Sequence, residues 1–266
     1  MSQRRSFTPP GSRPASAVFG GLVIALLCGP LAGLAAARDA DPVVEGKKVS
    51  RWVQELSVDD MNGRRKAINA IKKAGEVSVP HLIKALKGKK SYYWACTALG
   101  EMGAVAWRAA PYLTPWLASK DDRDRNIAYD TLRKLGPKAA PAVAKQLGNR
   151  SAKIRSYAAL ILGGYGPEAK DAIPRLIKAL GDKNANVSGN AAQALKRMGK
   201  PAVDPLRKAL GSKKKSTRLR ACEALGGMGE LAKPALEDLK SLAASEKVKL
   251  IREAAENAVK SIAPGD

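Results

Sequence analysis

Apolar residues along the chain recur at helical spacing. Runs such as Ile154, Tyr157, Ala158, Ile161 and Leu162, or Leu219, Cys222, Ala224 and Leu225, each cover one face of a helix. These runs end on glycine, at Ala74-Gly75, Met102-Gly103, Leu135-Gly136, Tyr165-Gly166, Met198-Gly199 and Met228-Gly229, with spacings of 28, 33, 30, 33 and 30 residues. A fixed period of this length marks a repeat array. Each glycine is followed by a proline (Pro80, Pro111, Pro141, Pro174, Pro205, Pro234) and then by a leucine that closes a second apolar run (Leu86, Leu117, Leu147, Leu180, Leu210, Leu242). Glycine supplies the left-handed cap of one helix, and proline is tolerated in the first turn of the next, where its missing N–H has no helical partner. The predicted unit is a first helix, a short loop and a second helix.

Repetition is also visible in the letters. Pro-x-Leu-Ile-Lys-Ala-Leu occurs at residues 80–86 and again at 174–180. Polar turns precede the first helices, as in Val58-Asp59-Asp60, Lys120-Asp121-Asp122 and Gly181-Asp182-Lys183, and suit an N-cap and first turn. Val49, Trp52, Val53 and Leu56 predict an extra N-terminal helix, and residues 248–262 a last helix without a following proline. The array of about six repeats with capping helices therefore spans 49–262, with 38–48 as a linker and 263–266 as a tail. Aromatic residues make up 5% of the 266 residues while apolar residues reach 45%. An interior of Ala, Leu, Ile and Val suits closely spaced helices that bury their faces on neighbours, not one deep core.

Residues 1–37 differ from the rest. Arg4, Arg5 and Arg13 precede an uncharged stretch, Pro14 to Ala37, that ends in Ala35-Ala36-Ala37. This is the pattern of a secretory signal cleaved after Ala37, which implies a periplasmic or extracellular protein. An uncleaved N-terminal membrane anchor is the alternative. Forty-seven Lys and Arg against 24 Asp and Glu give a formal charge of +23. Removing residues 1–37 takes away three Arg and no acid, so the basicity belongs to the repeats and points to an anionic partner. Cys96 and Cys222 share one column of the first helix with Ile68, Tyr129, Ala159 and Ala192, and are expected as buried free thiols.

Together the turn, the Arg column (Arg64, Arg125, Arg155, Arg218) and the runs Ala98-Leu99-Gly100 and Ala224-Leu225-Gly226 resemble the short HEAT-like repeats of the bilin-lyase group. Tyr92 and Ser188 depart from the Arg column, which interrupts any Asp-Arg ladder there. The resemblance implies an all-α fold, an α-α superhelix built as a right-handed solenoid of helical hairpins. Among similar proteins the di-iron deoxyhypusine hydroxylases depend on repeated His-Glu pairs, and this chain has a single histidine, His81, expected to be exposed in the first turn of a second helix. No catalytic set, metal ligand set or cofactor-binding motif is read from the sequence, and Asp59-Asp60 and Asp121-Asp122 are taken as caps.

Two features suggest a binding surface. Counting two residues back from each closing leucine gives Lys84, Pro115, Lys145, Lys178, Lys208 and Lys240, a column facing solvent on the second helices, which the resemblance places on the concave side. Tyr112 and Arg175 share a neighbouring column. In repeat two Tyr92, Tyr93, Trp94, Trp107, Tyr112 and Trp116 gather, with Trp116 expected between repeats and Tyr112 at the surface. The expected function is a non-catalytic exported scaffold that binds an anionic partner (an acidic protein segment, a glycan or lipid head groups) through Lys84, Tyr112, Lys145, Arg175, Lys178, Lys208 and Lys240. The alternatives are a nucleic-acid-binding helical-repeat protein, similar to helical-repeat DNA glycosylases but disfavoured by export, and a relative of the HEAT-like lyases or hydroxylases without their metal ligands.

Overall fold

The structure, a computed structural model, describes residues 41–264. The expected signal segment lies outside the described residues. Among the described residues fourteen α-helices follow one another: α1 (Val49–Glu55), α2 (Met61–Ala74), α3 (Val79–Ala85), α4 (Lys89–Met102), α5 (Ala110–Leu113), α6 (Asp122–Leu135), α7 (Ala140–Lys145), α8 (Ala152–Tyr165), α9 (Ile173–Ala179), α10 (Ala185–Met198), α11 (Lys200–Leu210), α12 (Lys215–Met228), α13 (Leu236–Ser245) and α14 (Lys249–Ile262). The even-numbered helices are the first helices of the repeats, and every one of them is 14 residues long. Among the described residues the array runs from a second-type helix, α1, to a first-type helix, α14, each a half-repeat.

Local chemistry sets the boundaries. Asp60, Asp121 and Asn184 accept backbone N–H groups at the starts of α2, α6 and α10. The six repeat glycines stop the first helices with φ between 56° and 73°, a conformation that costs a residue with a Cβ. Pro80, Pro111, Pro141 and Pro174 lie in the first turns of α3, α5, α7 and α9 as expected. Pro205 and Pro234 do not. Pro205 falls inside α11, whose first turn holds Pro201, and Pro234 lies in the 3-10 segment Gly229–Ala235 before α13.

The linker expected at 38–48 is corrected over its described part. Val43–Val44 (β1) and Lys47–Lys48 (β2) pair antiparallel around Glu45-Gly46, both at positive φ, as a two-residue hairpin turn requires. The hairpin is fastened to the array. Trp52 Nε1 donates to the Val44 carbonyl at 2.7 Å, the Ser50 hydroxyl donates to Asp41 at 2.6 Å, and Lys73 pairs with Glu45.

Packing reveals a longer period that the glycine spacing only hinted at. The 3-10 connections are seven residues long at Gly103–Ala109, Gly166–Ala172 and Gly229–Ala235, and shorter or absent in the alternate repeats. Gly100, Gly163 and Gly226, 63 residues apart, each face the following first helix. A Cβ on Gly163 would lie 2.9 Å from the Ala194 Cα, and one on Gly226 would lie 2.9 Å from the Ala258 Cα. At the alternate junctions a cation takes this helix position: Lys72 pairs with Glu101 at 3.1 Å, while Arg133 and Lys196 lie across the bare backbone of Gly164 and Gly227. Close junctions (α4 to α6, α8 to α10, α12 to α14) therefore alternate with looser ones. The unit of construction is a pair of repeats.

Candidate functional site

Among the described residues, the buried charged residues all belong to the Arg column. Arg64, Arg125 and Arg155 are no more than 9% exposed, each on the inward side of its first helix. Arg125, Arg155 and Arg218 each donate through Nη1 to a carbonyl six residues earlier, those of Ser119 (2.8 Å), Asn149 (2.9 Å) and Ser212 (2.7 Å), and so tie down the turn that leads into the helix. The side chains of these turn residues accept the N–H two positions on, in Asp121, Ser151 and Lys214.

The same guanidiniums clasp the next repeat. Arg155 Nε and Nη2 reach Asp182 at 2.7 and 2.8 Å, and Arg218 Nε reaches Glu246 at 2.7 Å. Arg125 Nε donates to the Tyr157 hydroxyl at 3.3 Å. These hydrogen bonds hold the Asp182 and Glu246 carboxyls below the usual carboxylate range. Ser188 turns its hydroxyl to Ala185 of its own helix, and Tyr92 stacks on Trp116 at 3.9 Å while donating to the Asp124 carbonyl, so the ladder breaks at both places where the sequence departs from arginine. From the sequence Asp182 was placed in a polar turn and Tyr157 on an apolar face, and neither they nor Glu246 were read as partners of the Arg column. An acceptor 27 to 32 residues after an Arg of the column was the available signal.

The carboxylates expected as caps divide the work: Asp60 and Asp121 cap, and Asp59 and Asp122 pair with Arg64 and Arg125. His81, expected exposed, has a side chain only 14% exposed and lies 3.9 Å from Asp41. Cys96 and Cys222 are buried free thiols, and desolvation pushes both up to about 12.

The aromatics of repeat two separate. Buried Tyr92 stacks on half-buried Trp116, Tyr93 and Trp94 meet edge to face at 5.1 Å on α4, and Trp107 lies under Arg108 in the connecting segment. Tyr112 is 54% exposed, on the surface as expected.

Lys84, Lys145, Lys178 and Lys208 all lie exposed, two residues after the fully buried Leu82, Val143, Leu176 and Leu206. Lys240 leaves the column. The buried leucine of α13 is Leu239 and Leu242 is only partly buried, so Ser241, two residues after Leu239, takes the column position. Lys240 instead pairs with Glu237 at 3.1 Å. The same face turns acidic toward the C-terminus, where Asp204, Glu237 and Asp238 appear and Arg207 bonds Asp238 at 2.6 Å. Among the described residues no carboxylate lies within ion-pair distance of Lys145, Arg175 or Lys178.

Fold and clasps together define an α-solenoid of helical hairpins. Residues 140–204 and 200–260 match the HEAT repeats family. Over 101 residues the chain is 35% identical to SkfG of Bacillus subtilis (strain 168), covering 38% of this chain and 59% of that protein, so the match spans about three fifths of the curated relative. Among solved structures, the complex of CpcE and CpcF of phycocyanin lyase from Nostoc sp. PCC7120 is 25% identical, with 57% of this chain and 98% of that chain covered and a TM-score of 0.44. The archaeal HEAT-like repeats protein from Thermococcus onnurineus NA1 is 12% identical, covering 85% of this chain and 99% of that chain, also with a TM-score of 0.44.

Proposed function

We propose that this HEAT-repeat array is a non-catalytic scaffold, exported by way of residues 1–37, that binds an acidic protein segment on the second-helix layer of repeats three and four. One observation carries the reading: Lys145, Arg175 and Lys178 stand exposed on adjoining second helices with no acid paired to them, whereas in repeats five and six Arg207 and Lys240 are paired with Asp238 and Glu237 and only Lys208 stays unpaired on this face. Helices in contact are about 8 to 10 Å apart, so neighbouring cations act within a Debye length of about 8 Å at physiological salt. The buried arginines, by contrast, are spent on holding repeats together.

The test is binding of the full chain to immobilised poly-glutamate. The double variant Lys145→Glu, Lys178→Glu is expected to bind at least about tenfold more weakly, with an unchanged melting temperature, and wild-type binding should fall steeply with salt. Equal binding of wild type and variant, or insensitivity to salt, refutes the placement. A duplex DNA arm addresses the nucleic-acid reading, which would be favoured by tighter binding to DNA than to poly-glutamate together with recovery of the protein in the cytoplasmic fraction.

A further inference from the structure

In the clasped repeats the Nε of the column arginine meets an oxygen supplied by the next repeat. Arg125 uses the Tyr157 hydroxyl (3.3 Å), Arg155 uses Asp182 (2.7 Å) and Arg218 uses Glu246 (2.7 Å). Arg64 is the exception. Its side chain is 10% exposed and its Nη2 is paired with Asp59 at 2.9 Å, yet its Nε is buried with no hydrogen-bond partner. Trp94 explains the gap. It is the sixth residue of α4, as Tyr157 is the sixth of α8, and it offers the guanidinium a ring face 4.5 Å away in place of a hydroxyl oxygen.

The orphan lies at a groove of about 250 Å³ between α2 and α4, also lined by Met61, Asn62, Arg65, Asn69 and Glu101. Two arginines make the groove positive, and its one carboxylate, Glu101, is already paired with Lys72 at 3.1 Å. Met61, 68% exposed, and Trp94 add an apolar wall. We propose that this groove binds a carboxylate carried on an apolar or aromatic body, with the carboxylate on Arg64 Nε and the body against Trp94 and Met61. The ligand class follows from the chain's own chemistry, because Asp182 and Glu246 fill the equivalent positions with carboxylates. A buried guanidinium N–H is costly to leave unpaired, and a charge-assisted hydrogen bond is the strong remedy. This site belongs to the first-helix layer and goes beyond the lysine face proposed above.

The experiment follows the Arg64 Nε–H resonance of the full-length ¹⁵N-labelled protein, assigned by its loss in Arg64→Lys. N-acetyl-phenylalanine is titrated as a free carboxylate, and a blocked peptide with an internal glutamate beside phenylalanine as a protein-borne one. N-acetyl-phenylalanine amide is the neutral control. The expected result is a saturable shift with either carboxylate and none with the amide, the tighter of the two identifying the source. Trp94→Tyr places a phenol oxygen where Tyr157 has one, and should weaken carboxylate binding about tenfold while raising the melting temperature. No shift with either carboxylate, an equal shift with the amide, or undiminished binding in Trp94→Tyr overturns the assignment. The Lys145→Glu, Lys178→Glu protein should titrate like wild type, so failure of this site and failure of the lysine face are separately readable.

Discussion

Removing the Asp182 carboxylate tests whether the arginine clasps couple neighbouring repeats. Asp182 accepts two hydrogen bonds from Arg155 and one from the Asn184 N–H at 2.9 Å, and the two side chains of the pair are 13% and 10% exposed. Breaking a fully buried pair by deleting one partner costs about 3–5 kcal/mol. Here Arg155 keeps its bonds to the carbonyls of Asn149 and Arg150, so Asp182→Ala should cost about 2–3 kcal/mol. For a chain of this size that is a fall in melting temperature of roughly 4–12 °C, read by circular dichroism. Because Arg155 holds the Asp182 carboxyl below its ordinary range, the stabilisation is fully present above the unfolded-state value of about 3.9 and is lost as pH falls through the lower folded-state value. Glu246 titrates in the same acid window in both proteins and cancels in the difference. The gap between wild type and variant should therefore be constant from neutral pH to about 5 and close in stronger acid. Repeats couple chiefly to their neighbours, so the variant transition should also broaden. A fall under about 2 °C at neutral pH, or a gap that persists unchanged in acid, would show that Arg155 and Asp182 do not act as a pair.

Three further outcomes are expected. Gly226→Ala gains about 1 kcal/mol of helix propensity but sets a Cβ 2.9 Å from the Ala258 backbone, so chemical denaturation should show a net loss of about 1–2 kcal/mol. Trp116→Ala should cost about 3 kcal/mol through its stack on Tyr92, and Tyr112→Ala less than about 0.5 kcal/mol; equal losses would contradict their burial. Cys96 and Cys222 should resist a thiol reagent in the native state at pH 8 and react only at the rate of unfolding, because both thiols are pushed up to about 12.

Much of the fold was legible because it rests on residues with one structural meaning. Glycine caps, the prolines of α3, α5, α7 and α9 and the apolar stripes of the first helices all lie where the sequence pattern placed them. The second helices were harder. They are short, and aligning them on the closing leucine moved Lys240 into a column that the buried Leu239 assigns to Ser241. The hairpin was missed because two-residue strands leave no periodicity, although Glu45-Gly46 is a recognisable turn signal. The arginines were noticed as a column, but their partners lie 27 to 32 residues away, and neither helical spacing nor composition connects them. The Arg64 groove was illegible for a related reason: its distinguishing feature is an oxygen that Trp94 does not carry, and that shows only when the repeats are superposed.

The alternation of close and loose junctions gives the array a reading frame. Each glycine of a close junction admits the backbone of the next helix, and each cation of a loose junction has bare backbone or an acid to lie on. Excising a single repeat would put the chain out of phase, setting a lysine where a glycine must be and a glycine where a cation has its seat. Excising 63 residues restores the phase. The molecule lengthens or shortens without penalty only in steps of two repeats, as a text read in words of two letters tolerates the loss of a word but not of a letter.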